Sequence, residues 1–475
     1  MLYENVAETL KNQLELGVYR PGDKLVSVRK LASQLAVSIS TVVQAYQLLE
    51  DQGLIEARPQ SGYYVRPQLQ ARCPQTRLPK PMARPMTVDK GELIMEVLET
   101  LKDPNLVQLG TASPSADLLP LAALNRIMGQ LLREDPMAVV RYEATSGNLE
   151  LRTQVARLMA AAGVSAAPED IIITNGCQEA VTLALRAVAA QGDVIAVQSP
   201  TYYGGLQAIQ SLGMKALEIP TDPREGISIE ALRLALEQWP IKAILIMSTC
   251  ANPLGATMSE ARKEALVELA AEFNVPLIEN DAHAEFSTLS NRPKAAKHYD
   301  KDGNVLLCSS FSKTLAPGYR IGWICAGSWH DKLNYLKYVS NLSTPSLAQK
   351  TLATFLARGG YDRHVRKMRQ IYARQQALMA EAILRYFPAG TKASHGGMVA
   401  WVELPARVSG FDLYQRALEK KISIVPGSLF SAQKKYEHYV RLSCGGLWTP
   451  AIESAVALLG EIARQLGEEG GRVAA

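Results

Sequence analysis

No apolar run in this 475-residue sequence approaches the roughly 18–20 residues that a membrane-crossing helix needs. The start, MLYENVAETLKNQLELGVY, carries glutamates and no basic leader, so a secretion signal is not expected. The six cysteines (Cys73, Cys177, Cys250, Cys308, Cys325 and Cys444) are scattered, with no CxxC pair. That spacing argues against a disulfide framework or a cysteine-held zinc and fits a reducing compartment. The chain therefore reads as cytoplasmic, without a metal site. Internal repeats are also absent, and the composition, 47% hydrophobic and 20% charged, is that of a globular protein.

The length exceeds what one core normally serves, so two or three domains are expected. Residues 1–66 form a unit of short helical patterns followed by a hairpin, with seven Lys/Arg against seven Asp/Glu. Residues 67–90 hold Pro67, Pro74, Pro79, Pro81 and Pro85, which forbid a regular helix and favour an extended linker. In polyproline geometry such a linker reaches on the order of 70 Å. It is basic, with Arg72, Arg77, Lys80, Arg84 and Lys90 against Asp89 alone, which suits either contact with a polyanion or plain solvation. Residues 91–475 are expected to form one α/β body, with a large part over about 125–340 and a smaller α+β part from 91–124 and 341–475.

Within that body short β-branched runs recur: DIIITNG, DVIAVQSP, KALEIPTD, KAILIMST, VPLIEND, VLLCSSF and GWICAG. Most are separated by amphipathic stretches such as QEAVTLALRAVAAQ and SEARKEALVELAAEF. The alternation predicts a mostly parallel, seven-stranded sheet covered on both faces. The connection GYRIGW is too short for a crossover, so the last strand should pair antiparallel. Ligands of such sheets bind beyond the carboxyl ends of the strands.

The residues at those ends are informative. Gly176, Cys177 and Gln178 open a helix after the first run, an anion-binding arrangement. Tyr202 follows the second, and Asn252 follows KAILIMST. VPLIEND ends in Asp281, with His283 beyond it. VLLCSSF leads to Ser310, Lys313 and, seven positions on, Arg320. Each has a plainer reading: a surface lysine, a turn glycine, a helix-capping aspartate or an Asn-Pro turn. Together they supply what pyridoxal phosphate requires. The set has an amine for its aldehyde, a carboxylate for its pyridine nitrogen, an aromatic for its ring, and N–H, hydroxyl and guanidinium groups for its phosphate.

The string SFSKTLAPGYRIGW resembles, over its whole length, the lysine motif of the class I/II aminotransferases, enzymes of pyridoxal-phosphate fold type I. The resemblance extends from about residue 95 to the carboxyl terminus. It implies that Lys313 forms the internal aldimine and that Ser310 and Arg320 hold the phosphate with Gly176, Cys177 and Gln178. Asp281 would pair with the pyridine nitrogen, Asn252 with the ring 3-oxygen, and Tyr202 would stack on the ring. Arg441, in YVRLSCGG, would grip a substrate carboxylate, although it also reads as a plain strand arginine. Gly110, in VQLGTASPSADLLP, matches the segment that closes over substrate, and Tyr142 a tyrosine reaching the neighbouring subunit's phosphate. One departure is His283, which stands where the family usually has a tyrosine. An imidazole can donate a similar hydrogen bond but titrates near neutrality.

In the first 66 residues, Ser27 precedes the helical pattern VRKLASQLA, a turn follows at Val37-Ser38, and STVVQAYQLLEDQG makes a second helix. Leu31, Leu35, Val42, Tyr46 and Leu49 recur at helical spacing and should form a small core. LIEARPQSGYYV then makes two strands. Helix, turn, helix and wing is a DNA-reading geometry. The pattern resembles the GntR-type winged helix, including its PGDKL entry and SGYYV wing. The resemblance implies phosphate contacts from Arg29, recognition contacts from Ser38, Ser40 and Thr41, and wing contacts from Arg58 and Gly62. Ile39 stands where an arginine is common, and Val26 where a proline is.

Joined in this order, the modules resemble the MocR subfamily of GntR regulators. That implies a head-to-tail homodimer on a double-stranded DNA operator, sensing pyridoxal phosphate or an amine or amino-acid effector at Lys313. Two other readings stay open at this point: a working aminotransferase with an appended head, and a dimerisation scaffold with a vestigial site.

Overall fold

A computed structural model describes residues 2–15, 18–19, 22–58, 61–66, 74–76, 78–89, 91–288 and 292–473. Cys73, Pro67, Arg72, Arg77 and Lys90, and the wing tip at Pro59-Gln60, lie outside the described residues.

The amino-terminal unit packs three helices, Leu2–Glu15, Val28–Gln34 and Ile39–Asp51, over the hairpin Ile55–Arg58 and Gly62–Val65. Its core draws Val6, Leu10 and Leu14 from the first helix, Leu31 from the second, and Val42, Tyr46 and Leu49 from the third. Ser38 caps the third helix, its Oγ accepting from the Thr41 amide at 3.1 Å, which satisfies one of the unpaired N–H groups of the first turn. Leu35 differs from expectation: it is the C-cap of the Val28–Gln34 helix and lies 41% exposed. Helical periodicity stops counting where the helix ends.

The central sheet runs in the order Met86–Thr87, Lys215–Asp222, Val194–Ser199, Ile241–Ile246, Leu277–Asn280, Val305–Ser310, Gly322–Cys325, Ile171–Thr174. The four pairings from Lys215–Asp222 to Val305–Ser310 are parallel. Gly322–Cys325 pairs antiparallel with both neighbours, as its short connection required. All seven expected strands are present. Two short ones were not anticipated: Met86–Thr87 on the edge, and Gly226–Ile227, paired with Lys215–Asp222. Nine strands therefore replace seven.

The first of these corrects the picture of the linker. Pro74 accepts a backbone hydrogen bond from Ala393, and Thr76 bonds Ser394. The Met82 amide donates to Gln433 at 3.0 Å, and Met86–Thr87 joins the sheet. Prolines prevent a helix here but leave carbonyls free to dock, so the described part of 67–90 is laid along the body. Its free reach is correspondingly shorter than the extended estimate.

The smaller part of the body holds an antiparallel sheet in the order Lys392–Gly396, Val399–Glu403, Tyr439–Ser443, Val425–Pro426. The helices Tyr361–Tyr386, Gly410–Glu419 and Pro450–Val473 pack around a core centred on Trp401. Glu218, buried in the central sheet, joins the two parts. Its carboxylate accepts from Ser199 Oγ at 2.6 Å, Ser431 Oγ at 2.7 Å and the Ala432 amide at 2.6 Å. Among the described residues no helix is long and apolar enough to cross a membrane.

Glu218→Ala removes the acceptor of three donors at once, two of them buried serine hydroxyls, and is expected to cost on the order of 3 kcal/mol. Urea unfolding of the full chain, followed by tryptophan fluorescence, checks this; an unchanged midpoint contradicts it.

Candidate functional site

The parallel strands end along one rim, and a cavity of about 300 Å³ opens there. Its wall brings together Cys177, Gln178, Tyr202, Asn252, His283, Ser310, Lys313, Arg320 and Arg441, separated by up to 264 positions in sequence (441 − 177). Asp281 stands between two lining residues, Asn280 and Ala282.

One part of the wall has the chemistry of an anion site. The strand Ile171–Thr174 turns at Asn175 into the helix Gly176–Val188, whose first N–H groups have no intrahelical acceptor. Gly176 has φ +80°, and a Cβ there would sit 2.3 Å from Arg320 Nη2. Arg320 is held over the turn by donating from Nη2 to the Asn175 carbonyl at 3.2 Å and from Nη1 to Ser312 Oγ at 3.3 Å. Gly322 is required beside it, since a Cβ would meet the Gly176 carbonyl carbon at 2.5 Å. Gln178 Nε2 donates to the Gly204 carbonyl at 2.7 Å, tying the helix to the segment after Tyr202. Burial pushes the Cys177 thiol up to about 12, and its Sγ bonds Asn280 Oδ1 at 3.3 Å. It is a neutral wall, not a nucleophile.

Burial raises the Asp281 carboxyl to about 7, against the pull of the Arg292 guanidinium. Its Oδ2 accepts from Arg292 Nη2, while Oδ1 is buried without a partner. Burial, with the Lys313 and Arg441 charges behind it, pushes His283 down to about 3, so the imidazole is neutral at physiological pH. Lys313 Nζ donates to the Ala112 carbonyl at 2.7 Å and Ser113 Oγ at 3.0 Å. Burial and then the Arg441 and Arg320 charges bring its amine down to about 8. Arg441 is fully buried, with Nη2 on the Gly110 carbonyl and with Nε and Nη1 unpaired. Gly110 thus meets the site through its carbonyl; a Cβ there would lie 2.5 Å from Leu101 Cδ2. Tyr142 is 85% exposed and does not line this chain's own cavity.

Sequence reasoning missed Ala112 and Ser113 as partners of Lys313, and Arg292 as the partner of Asp281. Nothing in a single sequence singled out Arg292 from Lys294 or Lys297 in the same segment.

On the amino-terminal unit, Arg29, Ser38, Ser40, Arg58 and Gly62 are exposed and Thr41 is half-buried. Ser38 Oγ lies 2.8 Å from both Ser40 Oγ and Thr41 Oγ1, so the three hydroxyls form one cluster at the start of the third helix. Arg58 is partly engaged: its Nε reaches Glu56 at 2.8 Å, and its guanidinium lies over the Tyr64 ring at 4.3 Å. Gly62, at φ +113°, leaves room for Lys24 Cε, 3.3 Å from where a Cβ would be. Lys24 is a basic wing residue that the sequence did not single out.

A family model described as aminotransferase class I and II matches residues 105–459, and one described as bacterial regulatory proteins, gntR family, matches residues 2–65. Over 462 residues the chain is 42% identical to YjiR of Escherichia coli, an uncharacterized HTH-type transcriptional regulator, covering 97% of this chain and 98% of the relative. It is 25% identical over 428 residues to MocR of Rhizobium meliloti, a probable rhizopine catabolism regulatory protein, covering 89% and 83%. Among solved structures, the kynurenine aminotransferase of Pyrococcus horikoshii in complex with PMP superimposes with a TM-score of 0.73 at 28% identity, covering 79% of this chain and 96% of that one.

The residues present fit pyridoxal phosphate. Asn252 Oδ1, Asp281 Oδ1, His283 Nδ1, and Arg441 Nε and Nη1 are buried without a partner. Buried polar atoms rarely stay unpaired, and these are groups of the kinds that a pyridine ring and an attached carboxylate would engage.

Gly176→Ala places a methyl against Arg320 and is expected to weaken pyridoxal phosphate binding by roughly tenfold or more, since each lost 1.4 kcal/mol is a factor of ten. A fluorescence titration of cofactor with wild-type affinity contradicts the anion cradle. At pH 8 about half of Lys313 is a free amine, against roughly 1 in 250 for a lysine at its ordinary ~10.4. Cofactor capture, followed as growth of the visible band, should therefore speed up with pH and level off above about 8. Levelling only above pH 10 contradicts a lowered amine.

Proposed function

For a chain that belongs to the class I and II aminotransferase family and to the GntR-type helix-turn-helix transcriptional regulators, MocR among them, we propose a cytoplasmic regulator that senses an amine or amino acid through bound pyridoxal phosphate. The observation that carries this reading is the convergence of unpaired buried polar atoms on one cavity, in the same chain as a winged helix-turn-helix. Pyridoxal phosphate, when bound, supplies an electrophilic carbon to which an amine can attach.

Around it, each residue has a distinct task. Gly176, Cys177 and Gln178, at the helix start, hold the phosphate with Ser310 and Arg320. Asp281 keeps the pyridine nitrogen protonated through its unpaired Oδ1. Asn252 and neutral His283 orient the ring 3-oxygen, and Tyr202 stacks on the ring. Lys313, its amine already partly deprotonated, holds the cofactor until an effector amine takes its place. Arg441 offers the N–H groups of its unpaired Nε and Nη1 to an effector carboxylate, as charge-assisted hydrogen bonds.

Operator DNA is read by the amino-terminal unit, with Ser38, Ser40 and Thr41 toward the bases and with Arg29, Arg58 and Gly62 at the backbone. Zero net charge in residues 1–66, taken with the Arg58–Glu56 pair, makes a single head a weak binder. A homodimer in head-to-tail arrangement, completed by Tyr142 at the neighbouring site, would present two heads and gain affinity by linkage. The boundaries 1–66, 67–90 and 91–475 suit this division of labour, with Met86–Thr87 at the end of the linker pairing into the body's sheet.

A second reading, a working aminotransferase, is favoured by one observation: an amine brought down to about 8 also suits a catalytic base. Steady turnover of an amino acid and a 2-oxo acid would support it.

The test combines spectroscopy with DNA binding. Lys313→Ala should remove the visible band of the bound cofactor and the response of DNA affinity to added amino acids. A band that persists refutes the lysine's role, and wild-type DNA affinity indifferent to cofactor and amino acids refutes sensing.

A further inference from the structure

A second cavity, of about 450 Å³, lies where the amino-terminal unit meets the body. Its wall includes Gln52, the C-cap of the helix Ile39–Asp51, together with Glu285, Arg292 and Arg369 of the body. That helix also contacts the helix Tyr361–Tyr386, which carries Arg369. The two cavities share no lining residue. An unbroken series of charges nevertheless joins them. Asp281 Oδ2 accepts from Arg292 Nη2, and Arg292 Nε donates to Glu285 Oε1 at 2.6 Å. Glu285 in turn receives Arg369 twice: Nη2 on Oε2 at 3.2 Å and Nε on the backbone carbonyl at 2.6 Å.

The burial of these groups decides how strongly they communicate. Side-chain exposure is 1% for Asp281 and 6% for Arg292, rising to 20% for Glu285 and 16% for Arg369. In such surroundings charges are poorly screened, and a change at one member is felt by the next. The order of signs is minus, plus, minus, plus. A protonated pyridine nitrogen at Asp281 Oδ1 would add a fifth member, positive, at the inner end. Asp281 would then share its charge between the ring and Arg292, leaving Arg292 to hold Glu285 more tightly and Glu285 to hold Arg369 less. Arg369 lines the second cavity with Gln52, and its helix is the one that contacts the helix Ile39–Asp51. A purely architectural role would not need charge: a buried ion pair is often no more stabilising than well-packed apolar groups.

We propose that Arg292 is a positioning residue that couples the pyridine side of the cofactor site to the seat of the DNA-binding unit, through Glu285 and Arg369. This rests on the sensing role argued above. It adds the route by which occupancy of one cavity alters the placement of a head that touches the other.

The test uses the full chain loaded with pyridoxal phosphate and a duplex selected by the wild-type chain from random sequences. Two quantities are read for each variant: the pH midpoint of the bound cofactor's visible absorbance, and the ratio of DNA affinities with and without cofactor. Arg369→Gln touches no part of the cofactor cavity. It should keep the wild-type midpoint and bring the affinity ratio at least about fivefold closer to one. Arg292→Lys keeps the charge but loses the two-ended fork, and serves where removing a buried charge prevents folding. It should move the midpoint by about one pH unit and also collapse the ratio. A wild-type ratio in Arg369→Gln, or a wild-type midpoint in Arg292→Lys, overturns the coupling and leaves sensing intact. A ratio of one in the wild type overturns sensing, and the coupling with it.

Discussion

Asp281 is fully buried, has one oxygen engaged by Arg292 and keeps the other free. A carboxylate in that position is costly unless a second cation arrives. The strands on either side bring it to the rim of the sheet, where in the proposed reading it would pair with a protonated nitrogen. Arg320, which packs on the Gly176 turn, lines the adjoining cavity, as do Lys313 and Arg441. Much of the body serves to keep that spacing fixed. The glycines at 176 and 322 let two strand ends and a helix start come within van der Waals range, and Glu218 clamps the smaller part of the body onto the sheet.

Much of this was legible in the sequence, for physical reasons. Strands buried on both faces are almost wholly apolar, so Val305–Ser310 and Ile241–Ile246 announce themselves. Polar residues that end such apolar strands break the pattern, which is why Lys313, Asp281 and Asn252 stood out, and the structure gathers them at one rim. What escaped was set by tertiary contact. Proline content says that residues 74–89 are not helical, but not that Met86–Thr87 completes a sheet edge. Periodicity counted Leu35 into the core, although the helix had ended beneath it. Arg292 escaped because its role depends on a loop returning to Asp281, and no local pattern encodes that return.

The two modules place different demands on charge. The body concentrates buried cations and carboxylates in one region, whereas the head has no net charge and commits Arg58 to Glu56 and Tyr64. In the proposed reading such a head would rely on placement more than on electrostatic attraction for its hold on DNA. A small shift in how it sits on the body can therefore change occupancy substantially. That makes a weak reader a suitable output for a cofactor-filled cavity.

Linkage supplies the most direct test of this account. If cofactor alters DNA affinity, DNA must alter cofactor affinity by the same factor. Titrating pyridoxal phosphate into the full chain, with and without saturating operator duplex, measures that factor independently of any variant. The account predicts affinities that differ by about fivefold or more. Equal affinities in the two titrations would contradict it.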